Sequence, residues 1–316
     1  MKELNAEKQM DTKQNILVFN TACFGDVLVC NTLVQNIKLE YPSSKVVFIC
    51  DKPYVDVAKY QKDVDEVIVY DKKGVNRGIK GLIKFIKEFP YKKPFASFVA
   101  YGNKRNLIIS HFIRAKYIYE NSESCYSMQY RVARLLQKVT HKEVRNLPIK
   151  YIMDSNLSED LKEIFKPDKE YIAFAPVSKN PEKDMPLDTA IEIVKKLSET
   201  FNVIYTGAGE KAQNFAMQMK NAGADFTDLT NKTSFPDLAR VLQHCSALLS
   251  IDTGTMHMAY ALGVPTVCVF YRKNTVETWA PDPKIYKNVH IIDDNYTAEH
   301  MYQELMELRE DLNCGK

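Results

Sequence analysis

"NILVFNTACFGDVLVCNTLVQNIKLEYPSSKVVFIC", Asn15 to Cys50, holds a strand, a helix and a second strand in that order. The apolar run Ile16 to Phe19 is too short for a helix and has the character of a buried strand. After it, Gly25 and Asp26 stand where a chain leaving a strand turns into a helix, and from Val27 to Leu39 the apolar positions Val29, Leu33 and Ile37 recur at helical spacing. "KVVFIC" then restores the strand pattern. Two strands joined by a crossover helix make a parallel sheet.

The same alternation extends outward. "EVIVY", Glu66 to Tyr70, supplies a further strand. Beyond Pro148 the chain becomes a polar connector, and from Tyr171 the alternation restarts with "YIAFAP", a helix through Ile191 to Leu197, "NVIYTG", "ALLSID", another helix and "TVCVF". Two α/β halves are expected, residues 1–150 and 165–316, joined near 146–170. A closing helix from Ala298 to about Leu312 puts Met301, Leu305, Leu308 and Leu312 on one face and needs a groove. The length of 316 residues and 45% hydrophobic content suffice for two full cores.

Composition narrows the class. The first fourteen residues are polar and lack the apolar centre of a secretory signal. The longest nearly uncharged run, Met258 to Tyr271, is too short to span a bilayer and contains Pro265. A cytoplasmic chain is expected. Its seven cysteines, including Cys125 and Cys314, form no Cys-x-x-Cys pair and fit small apolar fillers in a reducing compartment. The net charge of +3 hides an imbalance: Lys72 to Arg145 contains seventeen Lys and Arg against four Glu. Its densest part places Ile79, Leu82, Ile83 and Ile86 at helical spacing, with Lys80, Lys84 and Lys87 off that stripe. Taken alone this is either an amphipathic helix on a sheet with its lysines in water or a surface for an anionic partner. No nucleic-acid recognition module accompanies the basic residues.

Open α/β sheets bind ligands beyond the carboxyl ends of their strands, so the chemistry is sought in the loops there. Asp26 is either a reactive carboxylate or a helix cap that satisfies free amides. In "SIDTGTMHMAYALG", Asp252, Thr253, Gly254 and Thr255 open a helix, a start whose free amides suit phosphate, and His257 falls on its first turn. "APVSKNPEKDMPLD" carries Ser178, Lys179 and Lys183 between a strand and a helix. "YTGAGEK" offers Gly207 and Gly209 without the third glycine of a dinucleotide fingerprint.

Together these loops resemble glycosyltransferase family nine, the heptosyltransferases of lipopolysaccharide core assembly. That family opens with a strand, a short loop ending Gly-Asp-Val and a helix, matched here by Gly25, Asp26 and Val27. Its most specific block is matched by "DTGTMHMAYALGVPT", Asp252 to Thr266, with Thr255 in place of Pro. This chain departs from the family at Asn20, where many members have Lys or Arg, at "KDMP", where Lys183 and Pro186 remain, and at "FYRK", Phe270 to Lys273, which replaces Phe-Gly-Pro-Thr.

The resemblance implies a GT-B fold, two Rossmann-like domains facing across a cleft, an acceptor domain first and a nucleotide-sugar domain second, the last helix returning toward the first. It implies an inverting, metal-independent transfer with no cofactor. Asp26 would be the general base. Ser178, Lys183, Asp252, Thr253, Gly254, Thr255 and His257 would form the donor site. Lys183, His257 and the helix start would carry the charge of the departing diphosphate. Implied partners are a nucleotide sugar, most simply ADP-heptose, and an anionic glycolipid at the cytoplasmic face of the inner membrane, with Lys80, Lys84 and Lys87 facing the acceptor or the membrane. The alternatives are a carbohydrate- or lipid-binding homologue without turnover, given the altered Phe270 turn, and an NAD-dependent oxidoreductase, which would need Gly-x-Gly-x-x-Gly after its first strand.

Overall fold

The computed structural model describes residues 14–101, 103–124, 126–272 and 275–314. Residues 1–13 of the polar opening stretch, Cys125 and Lys273 lie outside these, as does the Cys314 side chain. The chain divides into two compact units after Lys150.

The first unit runs β1 (Asn15–Asn20), α1 (Phe24–Val29), α2 (Asn31–Glu40), β2 (Lys45–Asp51), α3 (Val55–Lys59), β3 (Glu66–Tyr70), α4 (Gly78–Glu88), β4 (Ala96–Val99), α5 (Lys104–Phe112), β5 (Tyr117–Glu120) and α6 (Met128–Thr140). Its strands are parallel in the order β3-β2-β1-β4-β5, with Leu17 of β1 opposite Val47 of β2 and Ser97 of β4. Ile16 to Phe19 are fully buried, as a central parallel strand covered by helices on both faces requires. The helix expected from Val27 to Leu39 starts earlier, at Phe24, and breaks at Cys30. The break has a cause: Asn20 Nδ2 (2.7 Å) and Cys30 Sγ (3.2 Å) both donate to the Asp26 carbonyl, which an unbroken helix would use itself.

Helix α4 corrects the expected apolar stripe. Phe85 and Gly81 form its buried face, with Leu82 and Ile86 beside them, whereas Ile79 and Ile83 face outward. Two stripes compete on one helix, and the one that seats Phe85 edge-on against Tyr70 (4.8 Å between centroids) and against Phe89 wins, because aromatic rings bury more area.

The second unit runs α7 (Glu159–Lys162), β6 (Tyr171–Ala175), α8 (Leu187–Ser198), β7 (Asn202–Tyr205), α9 (Glu210–Asn221), β8 (Thr227–Asp228), α10 (Phe235–Gln243), β9 (Ala247–Ile251), α11 (Gly254–Ala261), β10 (Thr266–Val269), α12 (Val276–Trp279), β11 (Val289–Ile292) and α13 (Ala298–Cys314). The parallel order β11-β10-β9-β6-β7-β8 repeats that of the first unit with one strand more. Residues 151–164, expected as connector, pack here: Leu157 and Leu161 are buried, Asp154 pairs with Arg240 at 3.2 Å, and the Tyr171 hydroxyl donates to the Ile164 carbonyl. Helix α13 finds a groove in this unit: Met301, Leu305 and Leu308 join the core with Ile193 and Val194 of α8.

Candidate active site

In both sheets the strand order reverses beside the first strand of the unit, between β1 and β4 and between β6 and β9. Ligands of open α/β sheets sit beyond the carboxyl ends of such pairs.

At the first of these, Asp26 is the third residue of α1 and is half-buried. The N-cap is Cys23, and Asp26 Oδ2 accepts from the Cys23 amide at 3.1 Å. The carboxylate therefore does satisfy a free amide, from inside the helix rather than from the cap position. Asn20 holds the turn: its Nδ2 donates to the Asp26 carbonyl and its Oδ1 accepts from Ala22 N at 3.0 Å. The negative charge of Asp26 is the main cause that raises the pKa of Tyr101, just past β4, so that hydroxyl stays protonated within electrostatic reach of the carboxylate. Tyr101, just past the short strand β4, was not singled out by the sequence.

The loop that carries Asp26 is tied to its neighbours through Thr21. Asn103 Nδ2 and Asn106 Nδ2 each donate to Thr21 Oγ1 at 3.2 Å, and Lys72 Nζ donates to the Thr21 carbonyl at 2.5 Å. Lys72 in turn pairs with the buried Asp51 at 3.2 Å. The ends of β1, β2, β3 and β4 are thus held in one polar network.

At the second reversal, Lys183 and Asp252 come together, Nζ to Oδ2 at 2.6 Å. Asp252 is 5% exposed; Lys183 sits at the end of a one-turn segment after β6. Thr253 caps α11 without a side-chain hydrogen bond to it, which leaves the first amides of Gly254 and Thr255 at a half-buried helix start. Such a start carries partial positive charge and free donors, and it suits an anion. Ser178 spends its groups inside its own loop: the amide donates to Asp184 Oδ1 at 2.8 Å and the hydroxyl to the Asn180 carbonyl at 2.8 Å.

His257 lies buried on the first turn of α11. It is 3% exposed, and Nδ1 lies 2.5 Å from the Tyr260 hydroxyl. Its ring meets Trp279 edge-on at 6.0 Å. Burial pulls its pKa down to about 4; Asp252 opposes the fall and Lys183 adds to it. Near neutrality it is an uncharged imidazole, able to donate one N–H but not to supply a charge. The altered turn after β10 adds a contact that the sequence did not suggest: Arg272 pairs with Glu182 at 3.2 Å, linking this turn to the Lys183 segment.

Among the described residues no group of three or more His, Cys, Asp or Glu could hold a metal ion, and no helix is long and apolar enough to cross a membrane.

Two Rossmann-like units, each with a strand-order reversal beside its first strand, give the chain a GT-B fold. The chain belongs to glycosyltransferase family 9 (heptosyltransferase), whose profile matches residues 112–307, more than half of its length. The lipopolysaccharide core heptosyltransferase OpsX of Haemophilus influenzae is 21% identical, the match covering 92% of this chain and 88% of that one. The fold is shared with the glycosyl transferase family 9 protein of Veillonella parvula at a TM-score of 0.79 and 17% identity, covering 95% of this chain and 99% of that one. It is shared likewise with the E. coli ADP-heptose LPS heptosyltransferase II at a TM-score of 0.75 and 17% identity, with the same coverage. Lys183 and the Asp252 block lie inside the matched residues and Asp26 lies outside them.

Proposed function

We propose that the chain is an inverting, metal-independent transferase that moves heptose from ADP-heptose to a lipopolysaccharide-core or related glycolipid acceptor. The observation that carries this is the Lys183–Asp252 pair at the start of α11, within a stretch that matches a heptosyltransferase family. The H. influenzae and E. coli relatives, named for lipopolysaccharide core and for ADP-heptose, support the choice of acceptor and donor.

The second unit takes the donor. Its diphosphate meets the amides of Gly254 and Thr255, and the Lys183 ammonium shifts from Asp252 toward the phosphate oxygens. The neutral His257, fixed by Tyr260, positions the first turn of α11 and offers an N–H. Asp252 shapes the turn and touches the sugar. In the first unit Asp26 takes the proton of the acceptor hydroxyl as its oxygen bonds to the anomeric carbon. The bond from that carbon to the diphosphate breaks on the opposite side, the electron pair leaves with the phosphate oxygen, and the configuration inverts. Charge that grows on the leaving group is met by Lys183 and the helix start, the work that a metal ion does elsewhere. A glycolipid acceptor lies in a leaflet, so peripheral contact with the cytoplasmic face of the inner membrane belongs to the same proposal.

The test is ADP release from ADP-heptose in the presence of a core glycolipid, with the anomeric configuration of the product read by NMR. Turnover of UDP- or GDP-sugars in place of ADP-heptose would overturn the donor, retention would overturn the displacement, and activity lost to chelator but restored by magnesium would overturn metal independence.

A further inference from the structure

The turn after β3 and the helix α4 show more apolar surface outward than packing on a sheet requires. Val75 is 69% exposed, Ile79 76% and Ile83 47%. Ile79 and Ile83 are one helical turn apart and so share a face. Single exposed apolar side chains are ordinary; three β-branched ones within nine residues, set among exposed lysines, form a patch that calls for an occupant.

The surrounding charge says what kind. Residues 72–88 contain six Lys and Arg and a single acid, Glu88, which stands 4.0 Å from Lys84. Lys80, Lys84 and Lys87 are exposed on the same helix. The helix cannot roll to hide its isoleucines. Phe85 is fixed between Tyr70 and Phe89, and a Cβ on Gly81 would lie 2.4 Å from the Asn76 backbone, so helix and turn are in close contact. Outward isoleucines with lysines beside them are the chemistry of a helix that lies in a membrane interface.

We propose that Val75, Ile79 and Ile83 enter the headgroup region of an anionic phospholipid leaflet while Lys80, Lys84 and Lys87 meet its phosphates. This deepens the reading of a membrane-held acceptor and rests on it. It names the surface and assigns part of the binding to apolar insertion, which salt does not screen.

Sedimentation of the full chain with phosphatidylglycerol/phosphatidylcholine vesicles tests it, alongside phosphatidylcholine alone. Wild type binds the anionic vesicles at low salt and retains a fraction at high salt. Lys80→Gln/Lys84→Gln/Lys87→Gln weakens low-salt binding about tenfold or more. Ile79→Ser/Ile83→Ser weakens binding about tenfold at both salt levels, with the melting temperature lowered only slightly because Ile79 is mostly in water and Ile83 about half so. Absence of vesicle binding by wild type, equal binding of the isoleucine variant, or equal binding of wild type to neutral vesicles would overturn the proposal. So would a dimer in vesicle-free solution that the isoleucine variant abolishes, since the face would then belong to a second copy. Sugar transfer to a delipidated, water-soluble acceptor fragment is measured in parallel. Its loss in wild type with vesicle binding intact would strike the proposed activity alone, and its presence without vesicle binding would strike only the docking surface.

Discussion

Lys183 Nζ lies 2.6 Å from Asp252 Oδ2, joining the loops after β6 and β9 through a carboxylate that is 5% exposed. The pair does two things: it keeps Asp252 from being buried alone, and it stores a cation at the start of α11. Lys183→Met separates them. Stability falls by about 1–3 kcal/mol, the range for a buried polar group left unsatisfied; the 3–5 kcal/mol of a wholly buried pair does not apply, because Lys183 is 21% exposed. Adding Asp252→Asn recovers most of that loss in a urea melt, yet ADP affinity measured by calorimetry stays low in both variants. Wild-type affinity in Lys183→Met would remove this lysine from the donor site.

Asp26→Asn separates chemistry from structure. An asparagine oxygen still accepts from the Cys23 amide, so the melting temperature and donor affinity hold, while turnover falls roughly 10²–10⁴-fold, the usual contribution of a general base. Asp26→Ala removes the helix-start contact as well and costs about 1 kcal/mol on top. Near-normal turnover in the asparagine variant would leave only the structural role.

Acid should weaken the fold through His257. Its folded pKa, about 4, lies below the ordinary histidine value of 6.5, so between those values the unfolded chain binds the extra proton. Stability from this group is complete above pH 6.5 and is lost progressively as pH falls toward 4, by roughly 3 kcal/mol in total. His257→Gln removes that slope. Parallel melts of both proteins across this window would refute the assignment.

Gly81→Ala probes the turn beneath the exposed face of α4. The new Cβ would lie 2.4 Å from the Asn76 carbonyl carbon, and since that atom is backbone the turn must move. A loss of about 1–3 kcal/mol is expected. An unchanged denaturation midpoint would show that the turn yields freely.

Much of this architecture is written locally in the chain. Strong apolar runs such as Lys45–Asp51 and Ala247–Ile251 are strands where their patterns put them, because a buried parallel strand needs nothing but apolar length. The four-residue strands β4, β5 and β11 are not legible in that way, since their identity comes from neighbours in the sheet. Helix α4 misleads for a related reason: Ile79-Leu82-Ile83-Ile86 and Gly81-Leu82-Phe85-Phe89 both keep helical spacing, and only the seat beside Tyr70 decides between them. The Asp252 block was visible because its residues are consecutive. Its pairing with Lys183, about seventy residues earlier, was not, nor was the burial that makes His257 neutral.

The ties on Thr21 bear on when conformational freedom is given up. Fixing one residue of free chain costs about 1–2 kcal/mol in backbone entropy, and only a few residues separate Thr21 from the carboxylate of Asp26. On an untethered loop that cost would return with every catalytic cycle as an addition to the barrier. Here Lys72, Asn103 and Asn106 hold the strand end, and Asn20 holds the turn, before any substrate arrives. The freedom is lost once, when the chain folds, and the carboxylate proposed as the base would meet each acceptor already in its working position.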